Sequence, residues 1–229
     1  MGSLEVLPDG AALAQAVAER IAAIGRQALR ERGRFCLALS GGQTPAGMLG
    51  RLAESGLDWT RVELFQVDER VAPDGDPQRN LTQLQDLLLS RAPVPPSQVH
   101  PMEVTAADLE AAAAGYAKEL QRVCAGVLDL VHLGLGADGH TASWPPGHPV
   151  ADVSDRDTAV VGPFNGLMRM TLTPPPVNRS REIVWMVEGP AKSAALRRLL
   201  DSDPAIPASR VRRDRAVVMA DWAAAGQRP

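Results

Sequence analysis

The feature that most constrains the fold is a unit that recurs along the chain: a short apolar run, a polar turn with glycine, and a helix. Residues 34–39 form an apolar run that is followed by Ser40-Gly41-Gly42. A helix is predicted over residues 44–55, because Thr44 suits the N-cap and Pro45 the first helical position. The run is apolar at nearly every position and does not alternate, which favours a strand buried on both faces of a parallel sheet.

The same pattern predicts the other elements. Strands are expected at 62–67, 128–135, 158–161, 168–173, 183–187 and 216–219, and helices at 11–32, 80–90, 106–124 and 190–200. Asp9 and Thr105 are candidate caps, and Gly33 is a candidate stop. The chain is therefore predicted to be an α/β protein with a doubly wound, largely parallel sheet and helices on both faces, in one domain over residues 1–229.

Composition excludes several classes of protein. The 24 Lys and Arg balance 27 Asp and Glu, and the net charge of −3 indicates no nucleic-acid or membrane-surface partner. Aromatic residues make up 3% of the chain, too few to build stacking platforms for single strands. No signal peptide or membrane span is recognisable, so we expect a cytoplasmic protein in which Cys36 and Cys124 are buried, reduced thiols.

Ligands of open α/β sheets bind beyond the carboxyl ends of the strands, and three predicted strand ends carry unusual polar residues. The first is Ser40-Gly41-Gly42-Gln43-Thr44. Its glycines let the backbone approach an anion at the N-terminus of the next helix, which makes it a candidate phosphate site. On this segment alone, a plain turn with a Ser or Thr cap explains the pattern equally well.

The other two strand ends carry charged residues. Asp68-Glu69-Arg70 follows a buried strand, and by itself this triplet is more typical of a solvated loop. Asp138-Gly139-His140 follows the most apolar strand. Its histidine is well placed as a general base, with a carboxylate to fix its tautomer, although a capping Asp beside a surface His is the alternative.

Taken together, these segments resemble the 6-phosphogluconolactonase family, which belongs to a larger group that also holds glucosamine-6-phosphate deaminases. The matching stretches are LALSGGQTP (37–45), FQVDERVAP (65–73), LGLGADGHTAS (133–143), RMTLT (169–173) and GPAK (189–192). The resemblance covers nearly the whole chain. It implies hydrolysis of 6-phospho-D-glucono-1,5-lactone to 6-phospho-D-gluconate in the oxidative pentose phosphate pathway, with no cofactor and no metal.

The resemblance also implies roles for individual residues. His140 would activate a water for attack on the lactone carbonyl, with Asp138 shaping the site and Arg70 assisting at the reacting end of the sugar. The phosphate would be held by the loop and Lys192, with Arg169 a weaker candidate for the same contact. The full set of substrate-binding residues that it implies is Ser40, Gly41, Gly42, Thr44, Asp68, Asn80, Gly139, Arg169 and Lys192.

Two rival functions stay open. A glucosamine-6-phosphate deaminase would need a glutamate shortly after the Asp-Gly-His segment, and residues 141–145 hold no carboxylate. A non-catalytic sugar-phosphate sensor would have lost the base or gained a DNA-binding module. The other histidines have weaker claims: His132 is expected to be a core histidine with its hydrogen bonds satisfied, while His100 and His148 lie in Pro-rich loops. No cluster has metal-ligand spacing. The partner is predicted to be a small phosphosugar lactone, and the protein a monomer or weak homodimer.

Overall fold

The computed structural model describes residues 3–226, which form two β-sheets and the helices packed on them. The ten strands are β1 (Ser3–Leu7), β2 (Phe35–Leu39), β3 (Val62–Gln66), β4 (Asp68–Arg70), β5 (Val99–His100), β6 (Leu130–Gly134), β7 (Thr158–Phe164), β8 (Leu167–Leu172), β9 (Glu182–Val187) and β10 (Ala216–Asp221). The α-helices are α1 (Gly10–Arg32), α2 (Ala46–Ala53), α3 (Asn80–Leu84), α4 (Leu109–Cys124), α5 (Pro174–Arg179), α6 (Ser193–Leu200) and α7 (Trp222–Ala225).

The larger sheet has seven parallel strands in the order β1-β10-β9-β6-β2-β3-β5. From β2 the chain builds outward through β3 to β5, and it then returns to place β6 on the other side of β2. The direction of winding therefore changes between β2 and β6. In doubly wound sheets this is the point where the loops diverge and leave a crevice for a ligand.

Helices cover both faces of this sheet, which confirms the predicted fold class. Helices α1 and α2 bury one set of apolar side chains, and α4 and α6 bury another on the opposite face. The central strand β2 is buried at all five positions because it supplies both cores. None of the helices within residues 3–226 has the length and apolar character needed to cross a membrane.

The caps predicted for α1 are confirmed, whereas the N-caps predicted for α2 and α4 are wrong. Helix α1 begins where predicted, since the Asp9 side chain accepts a hydrogen bond from Ala12 N at 2.8 Å, and it ends at Gly33 with φ +76°. Thr44 is not the cap of α2, because Pro45 takes that position without a side-chain hydrogen bond. Thr105 does not cap α4 either; Asp108 does, and the helix starts three residues later than expected.

The smaller sheet is the main departure from the predicted topology. Strands β7 and β8, which the sequence predicted as strands, form an antiparallel sheet with β4 in the order β4-β8-β7. The predicted largely parallel sheet is confirmed, but the sequence analysis did not identify this second sheet, whose hairpin follows from the two-residue Asn165-Gly166 connection. Strand β4 is the charged Asp68-Glu69-Arg70 triplet, so this segment is not a solvated loop.

The two cysteines are buried, as predicted, but they are not free thiols. The structure joins Cys36 of β2 to Cys124 of α4 in a disulfide, with their Cα atoms 6.3 Å apart. That separation is within the range that a disulfide spans. The expectation of reduced thiols rested on the small number of cysteines, which carries no information on whether two distant positions meet in space.

His132 also differs from expectation. It lies in β6 with 1% of its surface exposed, and neither ring nitrogen has a hydrogen-bond partner among the described residues. It is a core histidine, but its hydrogen bonds are not satisfied. Burial lowers the pKa of His132 to about 4, so the ring is neutral at physiological pH.

This burial predicts a loss of stability in acid. Between the folded pKa of about 4 and the ordinary value near 6.5, the unfolded chain binds a proton that the folded chain does not, so the free energy of unfolding falls as pH falls. When the pH falls from 7 to 4, the free energy of unfolding of His132→Leu should rise by about 3 kcal/mol relative to that of the wild-type protein. Urea unfolding at both pH values measures the difference, and an equal difference at both would contradict the assignment.

Candidate functional site

A cavity of about 390 Å³ opens where the winding of the large sheet changes. The loops after β9, β6 and β2 surround it in that order along the sheet edge, and strand β4, which follows β3, lies beside them. Nine of the predicted site residues line it: Ser40, Gly41, Gly42, Thr44, Asp68, Arg70, His140, Arg169 and Lys192. The chain thus brings together groups that are as much as 152 residues apart in sequence, from Ser40 to Lys192.

The loop after β2 forms one wall. Gly42 has φ +110°, a conformation that glycine adopts without strain, and its backbone is clamped by Gln83, which accepts from Gly42 N at 2.8 Å and donates to Gly42 O at 2.6 Å. No hydrogen bond to another described residue occupies the N–H groups of Gly41, Gln43 and Thr44. These groups precede α2, so they form the donor set that an anion needs.

His140 and Asp138 form a pair at the end of β6. Asp138 Oδ1 lies 2.5 Å from His140 Nδ1 and accepts from His140 N at 3.1 Å. Burial acts to raise the pKa of Asp138, but the hydrogen bonds from His140 and its charge outweigh burial, so the pKa of Asp138 lies below its ordinary value. An ionised carboxylate only accepts, so Nδ1 carries a proton and Nε2 of the neutral ring keeps a free lone pair.

Gly139 supports this pair and does not line the cavity. Its φ is +88°, and a Cβ added there would lie 2.5 Å from a methyl carbon of Ile206. A side chain at this position would therefore clash and would strain the backbone between Asp138 and His140. The predicted shaping role agrees with this geometry, whereas direct contact with substrate does not follow from it.

Asp68 is buried at the cavity wall, and two side chains hold it there by hydrogen bonds. Ser143 Oγ donates to Asp68 Oδ2 at 2.6 Å, and Asn80 Nδ2 donates to the Asp68 backbone oxygen at 2.8 Å. Asn80 does not line the cavity. It lies beneath the loop after β2, where a Cβ on Gly41 would come within 2.2 Å of its Oδ1 atom. Asn80 therefore positions Asp68 and the loop.

Glu69 is completely buried and connects β4 to the start of α3. Its carboxylate accepts from Gln66 Nε2, Arg70 N, Asn80 N and Leu81 N, at distances between 2.7 and 2.9 Å. Arg79 Nε lies 3.1 Å from the same carboxylate, with only 3% of its side chain exposed. A buried carboxylate without such partners would be strongly unfavourable, so this set of contacts is what allows Glu69 to lie in the interior.

Two arginines lie side by side in the wall built by the small sheet. Arg70 of β4 pairs with Arg169 of β8 in the strand register, and both line the cavity. Burial lowers the pKa of Arg169, the Arg70 charge lowers it further, and Asp68 and Glu69 oppose both. Two neighbouring guanidinium groups create a local positive field, which favours an anionic ligand or a developing negative charge.

Lys192 follows β9 at the other end of the cavity edge. It ends a short 3₁₀ helix over Pro190–Lys192 and is half-buried, and no ion pair engages it among residues 3–226. Glu188 shares this end of the cavity. Burial, and secondarily the Asp221 charge, raise the pKa of Glu188 above its ordinary value.

Sequence reasoning missed several cavity residues. Phe164, Asn165, His132, Met186 and Glu188 line the site without any motif that marks them. The Asn165-Gly166 dipeptide was a signal for the hairpin that carries Phe164. Glu188 stands just before a Gly-Pro step at a strand end, which is the position of a ligand loop, but one charge there is not specific.

Fold and site together define a class: doubly wound α/β proteins in which a glycine loop with free N–H groups and a carboxylate-held histidine meet at the change of winding. Comparison with known proteins narrows this class. The family model described as glucosamine-6-phosphate isomerases/6-phosphogluconolactonase matches residues 8–220. The chain belongs to this family.

Individual relatives agree with the family assignment. The chain is 36% identical to the 6-phosphogluconolactonase of Streptomyces coelicolor, over 99% of this chain and 94% of that protein. It is 39% identical to the 6-phosphogluconolactonase of Synechocystis, over 78% and 77%. The crystal structure of the Thermotoga maritima 6-phosphogluconolactonase superimposes with a TM-score of 0.88 at 29% identity, covering 96% of this chain and 99% of that one.

The Glu69 contacts predict which substitution around Arg79 affects stability. Glu69→Gln removes the charge from a buried pair and replaces one acceptor oxygen by a donor, so it should lower the free energy of unfolding by about 2–4 kcal/mol. Urea unfolding monitored by tryptophan fluorescence measures this.

Asp74→Asn is the matched control. Asp74 also pairs with Arg79, at 3.0 Å, but its side chain is 82% exposed. Its loss should cost less than about 1 kcal/mol, as for other solvated ion pairs. Equal effects of the two substitutions would show that burial of Glu69 does not matter.

Proposed function

We propose that this protein opens 6-phospho-D-glucono-1,5-lactone to 6-phospho-D-gluconate in the oxidative pentose phosphate pathway, with His140 as the general base. The observation that carries the proposal is the Asp138–His140 pair at the cavity, since it leaves one ring nitrogen of His140 able to accept a proton. The relatives named 6-phosphogluconolactonase support the choice of substrate.

The reaction needs only a base and a site for negative charge. Nε2 of His140 takes a proton from water as the water oxygen bonds to the lactone carbonyl carbon, giving a tetrahedral oxyanion. The oxyanion then collapses, the bond from this carbon to the ring oxygen breaks, and the imidazolium returns the proton to that oxygen. Asp138 stabilises the transient imidazolium and holds the ring in place.

The two arginines supply the positive charge. Arg70 and Arg169 face the cavity from neighbouring strands, and Arg169 is beside the His140 end through its contact with Phe164. We assign Arg70 to the developing oxyanion, as expected from the sequence. Arg169 reinforces the same field, which makes it less suited to the phosphate than Lys192.

The phosphate of the substrate is assigned to the loop after β2 and to Lys192. Free N–H groups at the start of α2 and the Lys192 side chain, which forms no ion pair with the residues that the structure describes, are complementary to a phosphate dianion. This places the substrate along the cavity with its phosphate and its lactone carbon on different groups of residues.

One observation disfavours the deaminase alternative. Residues 141–145, which follow His140, contribute no carboxylate to the site. A monomeric glucosamine-6-phosphate deaminase superimposes with a TM-score of 0.86 at 23% identity, but that likeness concerns the fold alone. A pure sensor has no need for an Asp138–His140 pair.

The remaining assignments extend this proposal. The partner is a small phosphosugar lactone, and no nucleic acid is involved, in keeping with the net charge of −3. We propose one domain, because the small sheet shares apolar core with the large one. We also propose a cytoplasmic monomer or weak homodimer, although the Cys36–Cys124 disulfide is unusual for that compartment.

The direct test is turnover of both candidate substrates. Purified protein should hydrolyse 6-phosphogluconolactone well above the spontaneous rate and should release no ammonia from glucosamine 6-phosphate. Acid release from the lactone and ammonia release from the amino sugar are measured in parallel. Ammonia release without lactone hydrolysis would establish the deaminase, and binding without turnover of either would establish the sensor.

Because His140 and Lys192 are assigned to different steps, one substitution should lower kcat and the other should weaken product binding. His140→Asn cannot accept the proton, so kcat should fall about 10²–10⁴-fold while the affinity for 6-phosphogluconate changes little. Lys192→Met removes a charge-assisted contact and should weaken product binding by about 1.5–3 kcal/mol. Steady-state kinetics and calorimetric titration with 6-phosphogluconate measure the two effects.

Either result can overturn its assignment. A folded His140→Asn protein that turns over at the wild-type rate would exclude His140 as the base, and Asp68 or Asp138 would then be tested. Unchanged product affinity in Lys192→Met would make Lys192 a residue of the surface.

A further inference from the structure

The hairpin of the small sheet contains an irregularity just before its turn. Val161 is opposite Arg169 and Phe164 is opposite Leu167, so two residues of β7 lie opposite the single residue Met168 of β8. This is a β-bulge. Without it Pro163 would be opposite Leu167, so the bulge places Phe164 on the face of the hairpin that carries Arg169.

The turn itself fixes the end of the hairpin. Asn165 and Gly166 have φ +51° and +82°, the left-handed conformations of a tight two-residue hairpin turn. Phe164 is the last residue of β7, directly before this turn. Its position is therefore set by the backbone geometry of the bulge and of the turn.

Phe164 makes contacts on two sides. Its ring packs edge-to-face on the His140 imidazole, with ring centroids 5.0 Å apart and planes at 83°. Arg169 donates from Nη2 and Nε to the Phe164 carbonyl oxygen at 3.1 and 3.3 Å, and its guanidinium lies 5.5 Å from the phenyl centroid. The backbone and ring of Phe164 are thus both held by a buried arginine.

His140 needs a second contact to have a fixed orientation. Its side chain is 29% exposed, and among the described residues Asp138 is its hydrogen-bonding partner, at Nδ1. One hydrogen bond fixes one atom, but the ring can still swing about that atom and carry Nε2 away from the water. A perpendicular aromatic ring beside the imidazole removes this freedom.

We propose that Phe164 is a positioning residue for the reaction: aimed by the bulge and held by Arg169, its ring fixes the direction of His140 Nε2. This inference rests on the proposed role of His140. Phe164 does not touch the reacting atoms, and a phenyl ring offers no donor to a phosphate, so its effect is confined to the chemical step.

The test compares Phe164→Leu with Phe164→Tyr. Leucine keeps an apolar side chain but loses the ring, and kcat should fall about 10- to 100-fold with the affinity for 6-phosphogluconate unchanged within about twofold. Tyrosine keeps the ring and should restore most of kcat. Met168→Ala is the control, because Met168 is opposite the bulge and 40% exposed, and it should behave like wild type.

A combined variant separates positioning from a general structural role. If Phe164 acts through His140, Phe164→Leu should cause no further loss of rate in a His140→Asn protein. An equal loss in both backgrounds, a wild-type kcat in Phe164→Leu, or no recovery in a folded Phe164→Tyr protein would each overturn the proposal.

One measurement does not depend on activity. The His140 ring protons should show nuclear Overhauser contacts to the Phe164 ring in the wild-type protein, and their chemical shifts should move in Phe164→Leu and stay close to wild type in Phe164→Tyr. If the contact is present but the wild-type protein does not hydrolyse the lactone, the proposed function is wrong, whereas the packing of Phe164 on His140 is confirmed. Absence of the contact refutes the positioning role even in an active enzyme.

Discussion

The architecture of the site depends on one buried carboxylate. Glu69 gathers four hydrogen bonds and the Arg79 guanidinium in the interior, and two of those hydrogen bonds come from the first N–H groups of α3. It thereby joins the small sheet to the helix that follows it in sequence. Its neighbours Asp68 and Arg70 are then directed to the cavity by strand alternation, and Asn80 is brought beneath the loop after β2.

This arrangement explains why so much of the site is made of residues that support others. Asp138 holds His140, Asn80 and Ser143 hold Asp68, and Gln83 holds Gly42. Asp68 and Gly42 are held by partners on other elements, whereas His140 is held by a residue of its own loop. A site of this kind is organised before substrate arrives, so binding energy is not consumed in ordering it.

The sequence was most informative where chemistry and local structure coincide. Glycine turns after apolar runs located the loops of Ser40 and His140, because parallel strands end at a common edge. It failed where the outcome depends on long-range meetings. The Cys36–Cys124 pair, the missing partners of His132 and the membership of Asp68–Arg70 in a second sheet follow from which segments meet in space, and spacing along the chain does not specify this.

Val67 is the single residue between β3 and β4, and it belongs to both sheets. Its N–H donates to Leu39 O of the parallel sheet, and its carbonyl accepts from Leu172 N of the antiparallel one. The chain changes partners here without any loop, so its length at this point is fixed. One residue inserted or deleted would exchange the inward and outward positions of the triplet and turn Glu69 toward the cavity. The length of the Gln66–Arg70 stretch is therefore as important to the site as the identity of its residues, because the register decides which side chains of the triplet face the cavity.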